Sequence, residues 1–393
     1  MNFTEAKTLA EKYLMHAYNP YPLVLAEGKG AYLYDTEGKA YLDFLSGIAV
    51  NSLGYGHEGV LNAIFTQAAK LMHTSNFFYT EPTLRLAEKL SQLSGLEDGK
   101  VFFCNSGAEA NETAFKLARL HGKGKGKNKV VACRGSFHGR TMGSLTLTGQ
   151  SKYHDGFEPL VPNVVHTEFN NVEALAKDLT SDTCALFVEC IQGEGGVVPA
   201  TKEYLKKARE LCDQLDILLV IDEVQTGVGR TGTFFAYEGF GVKPDIVTMA
   251  KALGGGLPIG AVIASGKAAV FTPGKHGTTF GGNAVAASAA LAVLDQVANP
   301  EFLADVSAKA ELLKSKIPMD HPLVKEVRGI GLMLGIVVTV PPGDVAARAL
   351  ELGLIVGTAG TNAVRLVPPL TVTAEEIQKA ADLLVQSLNS FLK

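Results

Sequence analysis

Two ionisable residues, Asp222 and Lys251, stand at the exits of two apolar segments in the middle of the chain. Asp222 ends the run ILLVID, and Lys251 follows the run PDIVTMA. Ligands of an open parallel sheet bind at the carboxyl ends of its strands, so an acid and an amine there could share one ligand. A salt bridge for Asp222 and a solvated surface position for Lys251 would explain each residue alone. The glycines at 254–256 let the backbone approach the amine closely, which makes the pair a candidate site.

Composition limits the kinds of protein that this chain can be. Its 393 residues, 47% of them hydrophobic, suffice for one large α/β domain with a smaller companion. The formal net charge of −4, with both signs mixed along the chain, offers no basic surface to nucleic acid or acidic lipid. Five cysteines without CxxC spacing predict reduced thiols in a cytoplasmic protein. The amino terminus does not resemble a targeting peptide, and the uncharged segment 277–294 predicts a buried helix, not a membrane span.

Strand and helix patterns alternate from about residue 100 onward. The predicted strands are 100–104, 129–133, 184–190, 217–222, 245–249 and 260–264, and the clearest helices are 108–121, 201–215 and 284–297. This alternation predicts an α/β fold with a mostly parallel sheet covered by helices on both faces. Two earlier helical patterns, at 58–70 and 83–93, flank the aromatic loop HTSNFFYTEP, which is typical of an interface or the mouth of a site.

The two ends of the chain predict a second, smaller domain of the α+β type. Residues 20–50 have the pattern of an antiparallel hairpin around the turn TEGK. After the dipeptide Asn299-Pro300 the pattern predicts a helix near 301–316, strands near 325–339 and 363–367, and a final helix from Ala374. We expect residues 1–50 to join residues 299–393 in this domain, and residues 51–298 to form the large one.

The turn NSGAEANE follows the first strand of the large domain and opens a helix. Ser106, Gly107 and Ala108 would place free backbone N–H groups at the positive end of the helix dipole, which is a seat for phosphate. An ordinary capped helix, with Ser106 as the cap and Glu109 as its capping-box acid, would explain the same residues without a ligand.

Two other strand ends add an aromatic ring and further charge. They are RGSFHGRT, with Phe137, His138 and Arg140, and ECIQGEGG, with Glu189, Gln192 and Glu194. A core phenylalanine, a surface arginine and a simple turn would explain these residues one at a time, although an aromatic ring there could stack on a flat ligand. Taken together, the strand ends describe a ligand with a phosphate, a flat ring with a basic nitrogen, and an aldehyde that can join an amine. That ligand is pyridoxal 5'-phosphate (PLP).

Seven motifs along the chain resemble those of the class-III aminotransferases of PLP fold type I. In order they are NSGAEANE, SFHGRT, IQGEGG, IDEVQTGVGRTG, MAKALGGGLPIGA, HGTTFGGN and RLVPPL. The resemblance runs from about Tyr18 to Leu370, and HTSNFFYTEP and SFHGRT are most similar to the acetylornithine branch of the family. Cys190 departs from the pattern, since the family often has proline before IQGEGG.

The resemblance implies how this chain would hold the cofactor. Lys251 would join the aldehyde covalently and later move the proton, and Asp222 would pair with the protonated ring nitrogen. Thr279 would reach the phosphate of the neighbouring subunit, so the active unit would be a homodimer. No metal is implied. The other cofactor contacts would come from Ser106, Gly107, Ala108, Phe137, Val224 and Gln225.

The resemblance also implies how substrates would bind. Arg365 would grip the α-carboxylate of glutamate through its guanidinium, and Arg140 would take the distal carboxylate of the acylated substrate. Glu194 would mask Arg365 while the amino donor is bound. Thr278 and Tyr18 are also expected at the substrate.

The implied reaction moves the δ-amino group of N2-acetyl-L-ornithine to 2-oxoglutarate, as in arginine biosynthesis. The products would be N-acetyl-L-glutamate 5-semialdehyde and L-glutamate. Free ornithine, 4-aminobutyrate, and succinylated or lysine-pathway donors remain alternatives, as does an aminomutase. Ile48 disfavours free ornithine, because ornithine-specific relatives carry a tyrosine near that position.

Overall fold

The first hundred residues of the computed structural model, which describes residues 1–392, contain a small sheet and several helices. The elements are α1 (Phe3–Tyr13), β1 (Leu25–Lys29), β2 (Tyr32–Asp35), β3 (Ala40–Asp43), α2 (Ser46–Ala49), α3 (Glu58–Lys70) and α4 (Glu81–Ser94). The turn TEGK joins β2 to β3, as the hairpin pattern predicts. A second reversal, at Gly30 with φ +57°, separates β1 from β2, because the first apolar run contains its own glycine turn.

The middle of the chain alternates strands with helices. Its elements are β4 (Lys100–Cys104), α5 (Gly107–Gly122), β5 (Lys129–Cys133), α6 (Met142–Leu147), β6 (Val164–Thr167), α7 (Val172–Asp178), β7 (Thr183–Glu189), β8 (Ile191–Gln192), β9 (Val198–Pro199), α8 (Lys202–Gln214), β10 (Leu218–Asp222), α9 (Ala236–Phe240), β11 (Ile246–Met249), β12 (Gly260–Ala264) and α10 (Ala284–Val297). The predicted alternation is therefore present, with β6 as an additional strand.

Seven of these strands form one large sheet in the order β4-β12-β11-β10-β7-β5-β6. The pairs β11/β10, β10/β7, β7/β5 and β5/β6 are parallel, whereas β12 is antiparallel to both of its neighbours. Alternate residues of β10 face opposite sides: Leu218 and Val220 pack in one hydrophobic cluster, and Leu219 and Ile221 pack in another. The α/β fold with a mostly parallel, doubly covered sheet is thus confirmed.

The last part of the chain forms a smaller sheet with its own helices. The elements are α11 (Pro300–Lys316), β13 (Val324–Ile330), β14 (Met333–Val338), α12 (Pro342–Glu351), β15 (Leu354–Ile355), β16 (Gly357–Ala359), β17 (Ala363–Leu366) and α13 (Ala374–Asn389). The order in the small sheet is β13-β14-β17-β16. The segment 325–339, predicted as strand throughout, is divided by a turn at Gly331 and Leu332. Strand β15 pairs with β3, so the two ends of the chain share a sheet.

The small sheet has a hydrophobic core of its own. One cluster fills the small sheet and helices α11, α12 and α13, and it also includes Phe44 just after β3. No helix within residues 1–392 is long and apolar enough to cross a membrane.

Candidate active site

The loops that follow β4, β5, β7, β10 and β11 surround a cleft of about 450 Å³. Because parallel strands end at the same edge of a sheet, these five loops meet although they are far apart in sequence. The cleft is lined by most of the residues that the sequence singles out, namely Ser106, Gly107, Ala108, Phe137, Arg140, Glu189, Glu194, Asp222, Val224, Gln225 and Lys251.

Asp222 lies at the end of β10, is only 4% exposed, and has its orientation fixed by three donors. His138 Nδ1 lies 2.7 Å from its Oδ2, and Asn111 Nδ2 donates to the same oxygen at 2.8 Å. The backbone N–H of Val224 donates to Oδ1 at 2.9 Å. Thr248 in turn donates to Asn111 Oδ1 at 2.9 Å. The carboxylate is therefore held rigidly in the wall of the cleft.

Asn111 and Thr248 are residues of the site that the sequence motifs did not single out. Asn111 lies four residues after Gly107 on α5, so both residues face the same side of the helix. That spacing was the available signal. Thr248 lies on β11 directly beside Asp222 of β10, and its position depends on the strand register.

Lys251 begins a short 3-10 turn immediately after β11 and has a left-handed backbone, with φ +45°. Burial lowers the pKa of Lys251 below its ordinary value, and the neighbouring Arg365 guanidinium lowers it further, whereas the carboxylates of Glu194, Asp222 and Glu189 raise it. A lowered pKa increases the fraction of neutral amine, which is the nucleophilic form.

The amino terminus of α5 lies beside the loop after β10. Ser106 caps the helix by accepting the N–H of Glu109 at 3.2 Å. Glu109 accepts the N–H of Asn105 at 2.6 Å, so it does not complete the predicted capping box with Ser106. A Cβ on Gly107 would lie 2.7 Å from Val224 Cγ1, which means that only glycine permits this approach. N–H groups in a first helical turn have no intrahelical partner and can therefore bind an anion.

Glu189 is a buried carboxyl group behind Phe137. It pairs in register with Asp222 on the adjacent strand, and its Oε2 accepts the N–H of Phe137 at 3.1 Å. Burial raises the pKa of Glu189 well above its ordinary value, and the nearby charge of Asp222 raises it further. Glu189 therefore fixes the backbone of the loop that presents the Phe137 ring.

Arg365 on β17 is buried and forms an ion pair with Glu194. Its Nη1 also donates to Gln225 Oε1 at 3.2 Å, and Gln225 Nε2 donates to Glu194 at 3.4 Å. Burial by itself would raise the pKa of Glu194, but Arg365 and Lys251 offset this effect and lower the pKa. The guanidinium is therefore neutralised by a carboxylate of the same chain.

Arg140 lies at the exposed side of the cleft and has a different environment. Its guanidinium carbon lies 4.0 Å from the centroid of the Tyr153 ring and 5.6 Å from that of Phe137. Among the described residues, no carboxylate pairs with Arg140. Tyr153 was not predicted as a site residue, because it follows RGSFHGRT only after α6 and an intervening turn.

Four predicted site residues do not line this cleft. Arg365 lies behind Glu194 and Gln225, which do line it. The other three lie elsewhere. Tyr18 is 83% exposed and contacts the amino-terminal segment, where it lines a groove with α1. Thr278 and Thr279 line a separate pocket with the aromatic loop of residues 73–80. Thr278 is nevertheless close to the cleft, since Asn105 Nδ2 donates to its hydroxyl at 3.4 Å.

Comparison with known proteins assigns the chain to one family. The family model "Aminotransferase class-III" matches residues 13–388. An acetylornithine aminotransferase from Caldanaerobacter subterraneus subsp. tengcongensis is 48% identical over 384 residues, which cover 96% of this chain and 97% of that protein. The chain belongs to the class-III aminotransferase family.

Solved structures of related enzymes superpose over nearly the whole chain. The ornithine aminotransferase from Toxoplasma gondii ME49 matches with a TM-score of 0.93 at 31% identity, covering 99% of this chain and 96% of that one. The N-acetylornithine aminotransferase from Stenotrophomonas maltophilia K279a matches with a TM-score of 0.85 at 38% identity, covering 98% and 99%.

Class-III aminotransferases are in general PLP-dependent, and the residues of this cleft fit that cofactor. Gly107 admits Val224 to a distance that a side chain would prevent, and both residues line the cleft beside the first turn of α5. The free donors of that turn suit a phosphate, and the fixed Asp222 carboxylate suits a protonated ring nitrogen. Lys251 lines the same cleft and could supply the amine.

Proposed function

We propose that this enzyme transfers the δ-amino group of N2-acetyl-L-ornithine to 2-oxoglutarate, giving N-acetyl-L-glutamate 5-semialdehyde and L-glutamate. The observation that carries the proposal is the pair of arginines at one cleft. Arg365 is neutralised by Glu194, and Arg140 has no carboxylate partner among the described residues. A donor with one carboxylate and an acceptor with two match these guanidinium groups. The reaction would belong to arginine biosynthesis.

The cofactor in this proposal is PLP, held by the residues that the sequence predicts. Gly107 and Ala108 would bind its phosphate with their backbone N–H groups, and Ser106 would cap the same turn. Phe137 and Val224 would lie against the two faces of its ring, and Gln225 would donate to its hydroxyl. Bound PLP supplies an aldehyde that exchanges amines and a ring that draws electrons from the reacting carbon.

Lys251 and Asp222 would divide the chemistry between them. Lys251 is the group that moves the proton of the substrate carbon, because its lowered pKa leaves a neutral amine that can accept a proton. Asp222 keeps a proton on the ring nitrogen, because a fixed carboxylate stabilises a nearby cation.

Glu194 and Arg365 would adapt the cleft to its two substrates. While the amino donor reacts, the ion pair remains closed and presents no excess charge to the uncharged arm of the donor. When 2-oxoglutarate enters, its α-carboxylate replaces Glu194 on Arg365. The exchange preserves one anion on the buried guanidinium in both half-reactions, which avoids the cost of an unpaired buried charge.

The surroundings of Arg140 favour an acylated donor over free ornithine. Free ornithine carries an α-ammonium group beside its carboxylate, and that cation would need an anionic partner. The carboxylates that line the cleft are Glu189, Glu194 and Asp222, and each already has a hydrogen-bond donor within the chain. An acetamide has no such charge and can lie against aliphatic residues such as Val50.

Steady-state kinetics with different donors would test the substrate assignment. With 2-oxoglutarate as acceptor, we expect kcat/KM for N2-acetylornithine to exceed that for ornithine and 4-aminobutyrate by at least about 100-fold, the discrimination of a site that lacks a partner for the extra charge. N2-succinylornithine serves as the matched comparison for the acyl group. A preference for free ornithine would contradict the proposal, and turnover without any 2-oxo acid would indicate an aminomutase.

We also propose that the active unit is a homodimer in the cytoplasm. The loop of residues 73–80 exposes three adjacent aromatic side chains, Phe77, Phe78 and Tyr79, and Phe280 is exposed beside them. A patch of this kind is typical of a protein interface. Thr279 lies in the same region and would reach the phosphate in the partner's cleft. The five cysteines are buried and unpaired, which suits a reducing compartment.

A further inference from the structure

Arg230 is a fully buried arginine that has no role in the proposed chemistry. It lies in the loop after β10, within the motif IDEVQTGVGRTG, and is 1% exposed. Its Nη1 donates to two backbone carbonyls, while Nε and Nη2 have no hydrogen-bond partner. Burial lowers the pKa of Arg230 to about 9. A buried cation without a carboxylate is costly, so stability alone does not account for it.

The two carbonyls belong to residues that flank strands of the small sheet. Arg230 donates to Leu332 O at 3.0 Å and to Pro368 O at 2.5 Å. The N–H of Leu332 donates to the carbonyl of Arg230 at 3.0 Å, so the loop and the small sheet are joined in both directions. Leu332 immediately precedes β14, and Pro368 follows shortly after β17.

These contacts lie at the end of the strand pair that carries Arg365. Strands β14 and β17 are antiparallel, with Leu334 opposite Leu366 and Gly335 opposite Arg365. The start of β14 and the end of β17 are therefore adjacent. Arg230 binds both, close to the position from which the Arg365 side chain reaches the cleft.

The packing around Arg230 leaves little space for adjustment. A Cβ on Gly331 would lie 2.5 Å from the carbonyl oxygen of Arg230, and a Cβ on Gly229 would lie 2.6 Å from Val297 Cγ1. Both glycines have positive φ, +60° and +82°. The same loop begins with Asp222 and Gln225, so the small sheet is positioned against the segment that forms the floor of the cleft.

We propose that Arg230 is a positioning residue, which holds the β14–β17 pair against the loop after β10 and thereby sets where Arg365 meets Gln225 and the substrate carboxylate. The proposal rests on the proposed function, in which Arg365 receives the α-carboxylate of the 2-oxo acid. Without the two hydrogen bonds, Arg365 would no longer be held at the correct distance. Lys251 and Arg140 belong to other loops, and Asp222, at the start of the Arg230 loop, is held separately by His138 and Asn111.

The test compares Arg230→Met with Arg230→Lys in the holoenzyme. Methionine removes every donor at similar length, whereas lysine retains a cationic donor. For Arg230→Met we expect KM for 2-oxoglutarate to rise about 10-fold or more, since two hydrogen bonds are lost, and KM for N2-acetylornithine to change less than about threefold. Arg230→Lys should restore much of the difference. The control is Arg348→Met, which removes a half-buried arginine of α12 that is paired with Glu351.

The measurements separate positioning from a purely structural role. Bound PLP, from the visible absorbance, and the melting temperature should be close to wild type in Arg230→Met. Equal changes in both KM values, or an unchanged KM for the 2-oxo acid in a folded variant, would overturn the proposal. If the wild-type enzyme prefers another donor, the proposed function fails separately. The same KM comparison with the preferred donor and its 2-oxo acid then still tests Arg230.

Discussion

At the scale of single residues, the buried side chains that bind the Asp222 carboxylate matter as much as the groups that it faces in the cleft. An ionised carboxylate can only accept hydrogen bonds, so His138 must carry its proton on Nδ1 to donate to Asp222. Nε2 of His138 is buried without a partner. The hydrogen bond to the carboxylate is therefore the only one that the His138 ring makes among the described residues, which identifies His138 as a support for Asp222.

Replacing His138 should therefore weaken the hold on the cofactor. In His138→Phe we expect the dissociation constant for PLP to rise roughly 10- to 100-fold, because a hydrogen bond to a charged group contributes about 1.5–3 kcal/mol. Fluorescence titration of the apoenzyme with PLP would measure this dissociation constant. His321→Phe, which removes a half-buried histidine bonded to Asn389, serves as the control. An unchanged dissociation constant in a folded His138→Phe protein would exclude this supporting role.

At the scale of elements, the first turn of α5 is close to the loop after β10 because Gly107 has no side chain. In Gly107→Ala the new Cβ would overlap Val224, and either α5 or the valine must shift. Overpacking of this kind costs about 1–3 kcal/mol, so PLP affinity should fall roughly 5- to 100-fold. Equilibrium dialysis of PLP against the apoenzyme would give the value.

Gly239→Ala supplies a matched control for that substitution. Gly239 lies in helix α9, and a Cβ there meets nothing within 4 Å. Alanine should therefore leave PLP affinity unchanged and stabilise the helix by up to about 1 kcal/mol. Equal PLP affinities for Gly107→Ala and Gly239→Ala would mean that the approach to Val224 does not shape the cofactor site.

Glu223 links the end of β10 to the start of α9. Its Oε1 accepts the N–H of Tyr237 at 3.0 Å, and its Oε2 accepts the hydroxyl of Thr226 at 2.6 Å. Burial raises the pKa of Glu223 from 4.5 to about 7. The unfolded chain therefore loses this proton at lower pH than the folded chain, and folding stability falls as the pH rises from about 4.5 to 7. The full effect is about 3 kcal/mol.

Glu223→Gln should remove this pH dependence. We expect the melting temperature of wild type, relative to that of Glu223→Gln, to decline between pH 5.5 and pH 8. The lower pH lies inside the window set by the pKa shift, and the higher pH lies above it. Differential scanning calorimetry across that range would measure the trend. Glu210→Gln, on the exposed face of α8, should change little at either pH. A constant difference between wild type and Glu223→Gln would show that the carboxyl group does not titrate in this window.

Sequence periodicity predicted the elements that have a continuous apolar pattern, and it failed where that pattern is weak or where a turn interrupts it only briefly. Strands β4, β5 and β12 and helices α3 and α10 have the predicted bounds. Strand β6 has four residues at the edge of the sheet, only one of them fully buried, so it lacks a clear apolar pattern. The β13–β14 hairpin was predicted as one strand, because a Gly-Leu turn interrupts the apolar run for only two residues.

At the scale of the whole molecule, the sequence predicted which loops meet at the cleft. It did not predict the contacts between the loop after β10 and the small sheet. Parallel topology alone brings the predicted residues of five loops to one cleft. The contacts of Arg230 with Leu332 and Pro368 depend on how two sheets pack, and a local pattern contains no signal for that. The division of the chain at residues 50 and 298, and the roles of the individual site residues, stay predictions.

The proposed dimer makes a prediction that only two chains together can test. If Thr279 acts in the partner's cleft, a subunit with Lys251→Ala and a subunit with Thr279→Asp can complement each other. In the mixed dimer, the Thr279→Asp subunit keeps its own lysine and receives an intact threonine from its partner. Each variant alone should be nearly inactive, because one lacks the amine and the other places a carboxylate against a phosphate.

When equal amounts of the two variants assemble at random, half of the dimers are mixed. Each mixed dimer has one complete site. The mixture should therefore regain roughly a quarter of wild-type activity per site, as isologous pairing of two chains requires. Co-expression of the two chains with different affinity tags would supply the dimers, and assay of the total dimer pool would measure this quarter. The purified doubly tagged dimer should have roughly half of wild-type activity per site, because one of its two sites is complete. If Thr279 served the cleft of its own chain, the mixed dimer would contain no complete site. In that case it would remain as inactive as either parent.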